Sequence, residues 1–94
     1  MFTAQTDRAY LDTTHEVEIT DPVLHRRIRL EKQNSRTTVV WNPWSTGAQT
    51  LSDLGDEEWR TMACVEASNM RVYPVDLAPG QQHTMKTVIT VAAL

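Results

Sequence analysis

The stretch Arg36-Thr37-Thr38-Val39-Val40-Trp41, closed at once by Asn42-Pro43, is largely β-branched and aromatic. That is the composition of a strand, ended where proline withholds its N–H and biases the residue before it. Upstream, residues 15–20 and 26–32 alternate polar with apolar side chains, placing Val17 with Ile19, and Ile28 with Leu30, on one face each. Asp21-Pro22 marks a turn between these two strands, and Gln33-Asn34-Ser35 separates the second from the third, so the three segments read as an antiparallel meander. Downstream, residues 44 to 55 read as a loop, and Asp53 is placed to cap a helical turn through Asp56-Glu57-Glu58-Trp59. Residues 61–67 then read as a strand and 71–77 as an extended segment in which Pro74 marks an edge or a bulge. Ala78-Pro79-Gly80-Gln81 is a turn, and residues 83–94 form a long last strand with Met85, Thr87, Ile89 and Val91 on one face. About six strands at this spacing predict an all-β, antiparallel, sandwich-like chain.

Composition narrows the function classes. With 94 residues, 40% hydrophobic, 22% charged, three Gly and four Pro, the chain is of globular type with enough apolar content for a core, and neither a repeat nor a domain boundary divides it. A net charge of -3 gives no footprint for a polyanion, and the basic run His25-Arg26-Arg27-Ile28-Arg29 is interleaved with Ile28 and followed by Glu31, so nucleic acid is not an expected partner. The one cysteine, Cys64, forms no intrachain disulfide, which points to a reducing compartment and an expected cytoplasmic location. No segment approaches the roughly 18 apolar residues of a membrane helix. His15, His25 and His83 do not combine with Cys64 at metal-ligand spacing, and neither a Gly-rich phosphate loop nor a nucleophile elbow occurs.

Glu66 is the residue that asks for an explanation. It sits in Met62-Ala63-Cys64-Val65-Glu66-Ala67, a run of small and apolar residues with no other charge, and burying an unpaired carboxylate costs several kcal/mol or more. Strand alternation puts Met62, Cys64 and Glu66 on one face and Ala63, Val65 and Ala67 on the other, so one face can line a groove while the other packs inward. The plain alternative is a strand glutamate paired with a nearby Arg or Lys. Asp7, taken alone, reads as a solvated loop carboxylate, Trp41 and Trp44 as core or loop-anchoring aromatics, and Arg26, Arg27 and Arg29 as the wet side of a strand. Nothing adjacent in sequence lowers the pKa of Cys64, which reads as an inert thiol.

Several local patterns occur in a fixed order: Thr6-Asp7-Arg8-Ala9-Tyr10, then Thr38-Val39-Val40-Trp41-Asn42-Pro43-Trp44, then Asp53 through Asp56-Glu57, Met62 to Ala67 and Leu77-Ala78-Pro79-Gly80. In combination they resemble the C-terminal part of the glucose-6-phosphate 1-epimerase family, the hexose-phosphate branch of the aldose 1-epimerase (galactose mutarotase-like) superfamily. The resemblance covers nearly all of residues 1–94 and implies that they form the C-terminal segment of such a domain, incomplete by itself. It further implies a β-supersandwich of two large antiparallel sheets. The implied reaction interconverts the α and β anomers of a hexose 6-phosphate, with no cofactor, because the opened ring supplies its own carbonyl. In that family a glutamate takes the proton of the anomeric hydroxyl while a histidine protonates the ring oxygen. Glu66 matches the glutamate, and Asp7 matches an acidic residue that binds sugar hydroxyls. The family's histidine and phosphate-holding arginines precede the matched segment, none of His15, His25 and His83 takes that histidine's place, and Ser45-Thr46-Gly47-Ala48-Gln49 stands where a lysine often occurs. The alternatives are a carbohydrate-binding module without catalysis and an interaction module that forms homo-oligomers through exposed sheet edges.

Overall fold

The computed structural model describes residues 2–94. Six strands are present: β1 (Thr6–Leu11), β2 (Val17–Asp21), β3 (Arg26–Gln33), β4 (Thr37–Asn42), β5 (Cys64–Ser68) and β6 (Lys86–Ala93). One helical turn, α1 (Trp44–Ala48), and a 3-10 turn (Glu58–Thr61) lie between β4 and β5. Two antiparallel three-stranded sheets result, ordered β1-β4-β5 and β2-β3-β6, so the chain is all-β and antiparallel as its strand spacing predicts. Among the described residues, no helix is long and apolar enough to cross a membrane.

Only part of the expected meander forms. The hairpin β2–β3 pairs Val17 with Leu30 and Ile19 with Ile28, and its turn is held by Asp21, whose carboxylate accepts from Leu24 N (3.2 Å) and Arg26 Nε (2.9 Å). Strand β4, however, does not fold back on β3. It pairs with β1 and β5 in the other sheet, while β3 pairs with β6. Because β1 runs into β2 and β3 runs into β4, the four strands form one two-stranded ribbon bent at residues 12–16 and 34–36 into two sheets. Asp12 (φ 53°) and Asn34 (φ 60°) take left-handed backbone at the bend, a conformation that Asp and Asn tolerate better than most residues. The segment Gln33-Asn34-Ser35 is thus a corner and not a hairpin turn.

The corner is filled by Lys32, whose ammonium donates to Thr13 Oγ1 (2.8 Å), Thr38 Oγ1 (2.8 Å) and the Thr37 carbonyl (2.9 Å). Three donors meet three acceptors there, and the loss of water pushes the Lys32 pKa below its usual value. A backbone bond from Thr13 N to Arg36 O (2.8 Å) ties the two bent strands together at the same place.

Three further expectations are corrected. Residues 6–11 form a strand, not a loop. Residues 71–77 make no ladder: Arg71 has φ 58°, and Tyr73 N closes a turn onto Met70 O. The 3-10 turn begins at Glu58, with Glu57 ahead of it and no side-chain cap from Asp53. The shared face of Thr87, Ile89 and Val91 holds, since these residues sit opposite Lys32, Leu30 and Ile28. Leu30 is buried there, while Ile89 and Val91 remain exposed.

Asn42 closes the long excursion from β4 to β5. Fully buried, it donates through Nδ2 to the carbonyls of Trp59 (2.9 Å) and Met62 (2.9 Å) and accepts from Trp44 N through Oδ1 (2.9 Å). This last bond holds Trp44 at φ 60°, a strained backbone for an aromatic residue, and the Trp44 ring rests against Trp59 at 4.3 Å between centroids. Trp44 is therefore the expected loop anchor. Replacing the amide strands three backbone groups at once, so Asn42→Ala is expected to destabilise the fold by about 3 kcal/mol, read as a lowered urea midpoint with an unchanged slope.

Candidate active site

The first and last strands of the β1-β4-β5 sheet carry the two carboxylates singled out in the sequence. Strand β4 pairs antiparallel with both neighbours, with Asp7 opposite Trp41, Trp41 opposite Cys64, Ala9 opposite Val39 and Val39 opposite Glu66. Residues directly opposite share a face, and positions two apart along a strand return to it. Asp7, Trp41 and Cys64 therefore form one row and Ala9, Val39 and Glu66 the next row of the same face. Thr6 with Asn42, then Arg8, Val40 and Val65, then Tyr10, Thr38 and Ala67 occupy the opposite face. Two strand spacings across and two residues along put the Asp7 and Glu66 backbones about 12 Å apart. On that face they flank the central positions Trp41 and Val39.

Glu66 is exposed, not buried as its apolar surroundings in sequence imply. Its strand lies at the edge of this sheet, and the apolar positions beside it in sequence, Val65 and Ala67, point to the other face. No ion pair engages Glu66 or Asp7 among the described residues, so the plain reading of Glu66 as a paired strand glutamate finds no support. The arginines of β3 are occupied elsewhere: Arg26 with Asp21 (2.9 Å), Arg27 with Glu18 (3.1 Å) and Arg29 with Glu16 (3.6 Å).

Both ends of β5 are fastened by side chains. At its start Asn42 holds the Met62 carbonyl; at its end Ser35 Oγ accepts from Ser68 N (3.0 Å) and lies 2.7 Å from the Ser68 carbonyl, to which it donates. This matters because the side-chain period of a strand is two, and a slip of one residue would carry Glu66 to the opposite face. Sequence reading did not identify Ser35 or Asn42 as positioning residues. Neither carries a local signal, since their partners lie 33 and 20 positions away.

None of the three histidines belongs to β1, β4 or β5. His15 lies in the bend, His25 (φ 51°) at the end of the β2–β3 turn, and His83 lines a cleft of about 330 Å³ with Asn34, Arg36, Asn69 and Tyr73. In that cleft Arg36 is already committed, ion-paired to Asp12 at 2.7 Å and lying 3.8 Å over the Tyr73 ring. No group of side chains suited to hold a metal occurs among the described residues.

Cys64 reports on this face. Burial, and after it the Glu66 charge, pushes its thiol above the usual pKa. Removing the charge lowers that pKa, so Glu66→Gln is expected to speed alkylation of Cys64 by the neutral reagent iodoacetamide near pH 7, followed by mass spectrometry. An unchanged or slower rate would contradict the shared face.

Comparison with known proteins covers the same residues. A family profile described as Aldose 1-epimerase matches residues 2–90. A protein of Cenchrus ciliaris provisionally named glucose-6-phosphate 1-epimerase is 32% identical over 82 residues, 87% of this chain and 25% of its own length. Proteins with the same provisional name from Escherichia coli (strain K12) and Salmonella typhimurium are 33% and 32% identical, over 71% and 69% of this chain and 23% and 22% of their own lengths. The chain thus spans about a quarter of the length of these curated relatives. No solved structure matches it. With the profile running through β1, β4 and β5 and almost to the end of β6, the chain belongs to the aldose 1-epimerase family.

Proposed function

We propose that these residues serve a glucose-6-phosphate 1-epimerase activity, the interconversion of α and β anomers of a hexose 6-phosphate, with Glu66 as general base and Asp7 as a ligand of the sugar hydroxyls. The supporting observation is the register of β4, which sets two carboxylates free of ion pairs on one face, two strands and two residues apart. Glu66 takes the proton from the anomeric hydroxyl, the O1 electron pair forms the carbonyl, and the C1–O5 bond breaks as an acid protonates O5. Rotation about C1–C2 and the reverse steps close the ring as the other anomer. Asp7 accepts hydrogen bonds from ring hydroxyls and fixes the sugar against rotation.

The acid is not on this face. No histidine lies on β1, β4 or β5, and the face offers no cation to the phosphate among the residues in its rows. The 94-residue chain alone is accordingly proposed to be inactive, a base and a sugar ligand in need of the acid and the phosphate grip from further sequence of the family's domain. Glu66→Gln in the natural protein that carries these residues is expected to lower the anomerisation rate of α-glucose 6-phosphate by about 10²- to 10⁴-fold, measured by NMR exchange or polarimetry. Undiminished turnover would overturn the assignment.

The missing acid also favours a second reading, a carbohydrate-binding module, identified by sugar-phosphate binding that depends on Asp7 with no acceleration by the natural protein. A third, self-association through the β2-β3-β6 sheet, draws on the exposure of Ile89 (64%) and Val91 (59%). Light scattering that finds a monodisperse monomer would end it.

A further inference from the structure

We propose that Trp41 is the platform on which the closed pyranose ring lies, its indole meeting the C–H face of the sugar while Asp7 and Glu66 take hydroxyls on either side. The inference rests on the reading of Asp7 and Glu66 as a sugar site and names the group that would make that site selective for a ring.

The three tryptophans divide by what surrounds them. Trp59 is buried, packs against Trp44 and lies under the Arg60 guanidinium at 4.6 Å, so this pair anchors the loop. Trp41 has no aromatic or cationic partner among the described residues and is only partly buried. It occupies the central strand, directly opposite Asp7 on one side and Cys64 on the other, with Glu66 as its diagonal neighbour across β5. Diagonal neighbours lie about 7–8 Å apart, within reach of an indole. The face therefore offers a carboxylate, a large aromatic surface and a second carboxylate in sequence across three strands.

A pyranose matches that order. Its equatorial hydroxyls point outward from the rim, where carboxylates accept them, and its axial C–H bonds make an apolar face that an indole buries at little entropic cost. An open-chain sugar has no such face, so Trp41 would hold the closed forms and release the ring only while C1–O5 is broken. Val39, the other central side chain of the face, is too small to act as the platform.

The test uses the natural protein labelled with ¹⁵N at tryptophan and backbone, and 1,5-anhydroglucitol 6-phosphate, a ring that cannot open. The Trp41 indole resonance is expected to move on binding while those of Trp44 and Trp59 stay, and the acyclic glucitol 6-phosphate is expected to bind at least tenfold more weakly. Trp41→Ala should raise the Kd for the cyclic ligand about tenfold or more and Trp41→Phe by less than about threefold, the wild-type indole shift remaining decisive should the alanine variant not fold. A motionless Trp41 indole beside a shifting Asp7 amide, which meets the ring hydroxyls that this ligand keeps, overturns the platform and leaves the site intact. If neither moves, the site itself fails, and the platform falls with it.

Discussion

The pairing of Val39 with Glu66 across β4 and β5 is the contact on which the proposed site depends. A strand offers its side chains alternately to two faces, so the identity of the face is set by register alone. Here the register is held from outside the ladder. Asn42 and Ser35 grip the two ends of β5 through backbone groups at Met62 and Ser68, and Glu66 lies between those grips. An edge strand of only five residues has few ladder bonds with which to resist slipping, and the two buried polar side chains supply what the ladder lacks.

The bent ribbon explains how a central strand comes to stand between the carboxylates. If β4 had folded back on β3, as a meander would require, Asp7 and Glu66 would have no common neighbour. The bend at Asp12 and Asn34 sends β4 into a second sheet, where β1 and β5 flank it. Lys32 makes the bend possible by satisfying three acceptors where two sheets diverge, and the cost of taking its charge out of water is visible in its lowered pKa. The interior of this corner is polar: Ser35, Thr37 and Thr38 are all buried there.

Much of this was legible in the sequence, and the limits have physical causes. Strands β2, β3, β4 and β6 announce themselves through alternation and β-branching. The strand β1 does not, because Asp7, Arg8, Tyr10 and Leu11 all lie open to solvent and leave no two-residue hydrophobic period to read. Asp7 consequently reads as a loop carboxylate until pairing with Trp41 places it on a face. Glu66 stands out in the sequence for a reason that is incomplete: its apolar neighbours in the chain suggest burial, whereas an edge strand lets Glu66 face solvent while Val65 and Ala67 point away. Pairing partners in another sheet, and clamps 20 or 33 residues distant, leave no mark on local sequence.

The most direct measurement is a crystal structure of the natural protein with glucose 6-phosphate bound. The ring is expected on the face of Asp7, Trp41 and Glu66, with a Glu66 carboxylate oxygen about 2.7 Å from O1 of the sugar. Sugar bound on the face of Arg8, Val40 and Val65, or in the cleft beside Arg36 and His83, would contradict it.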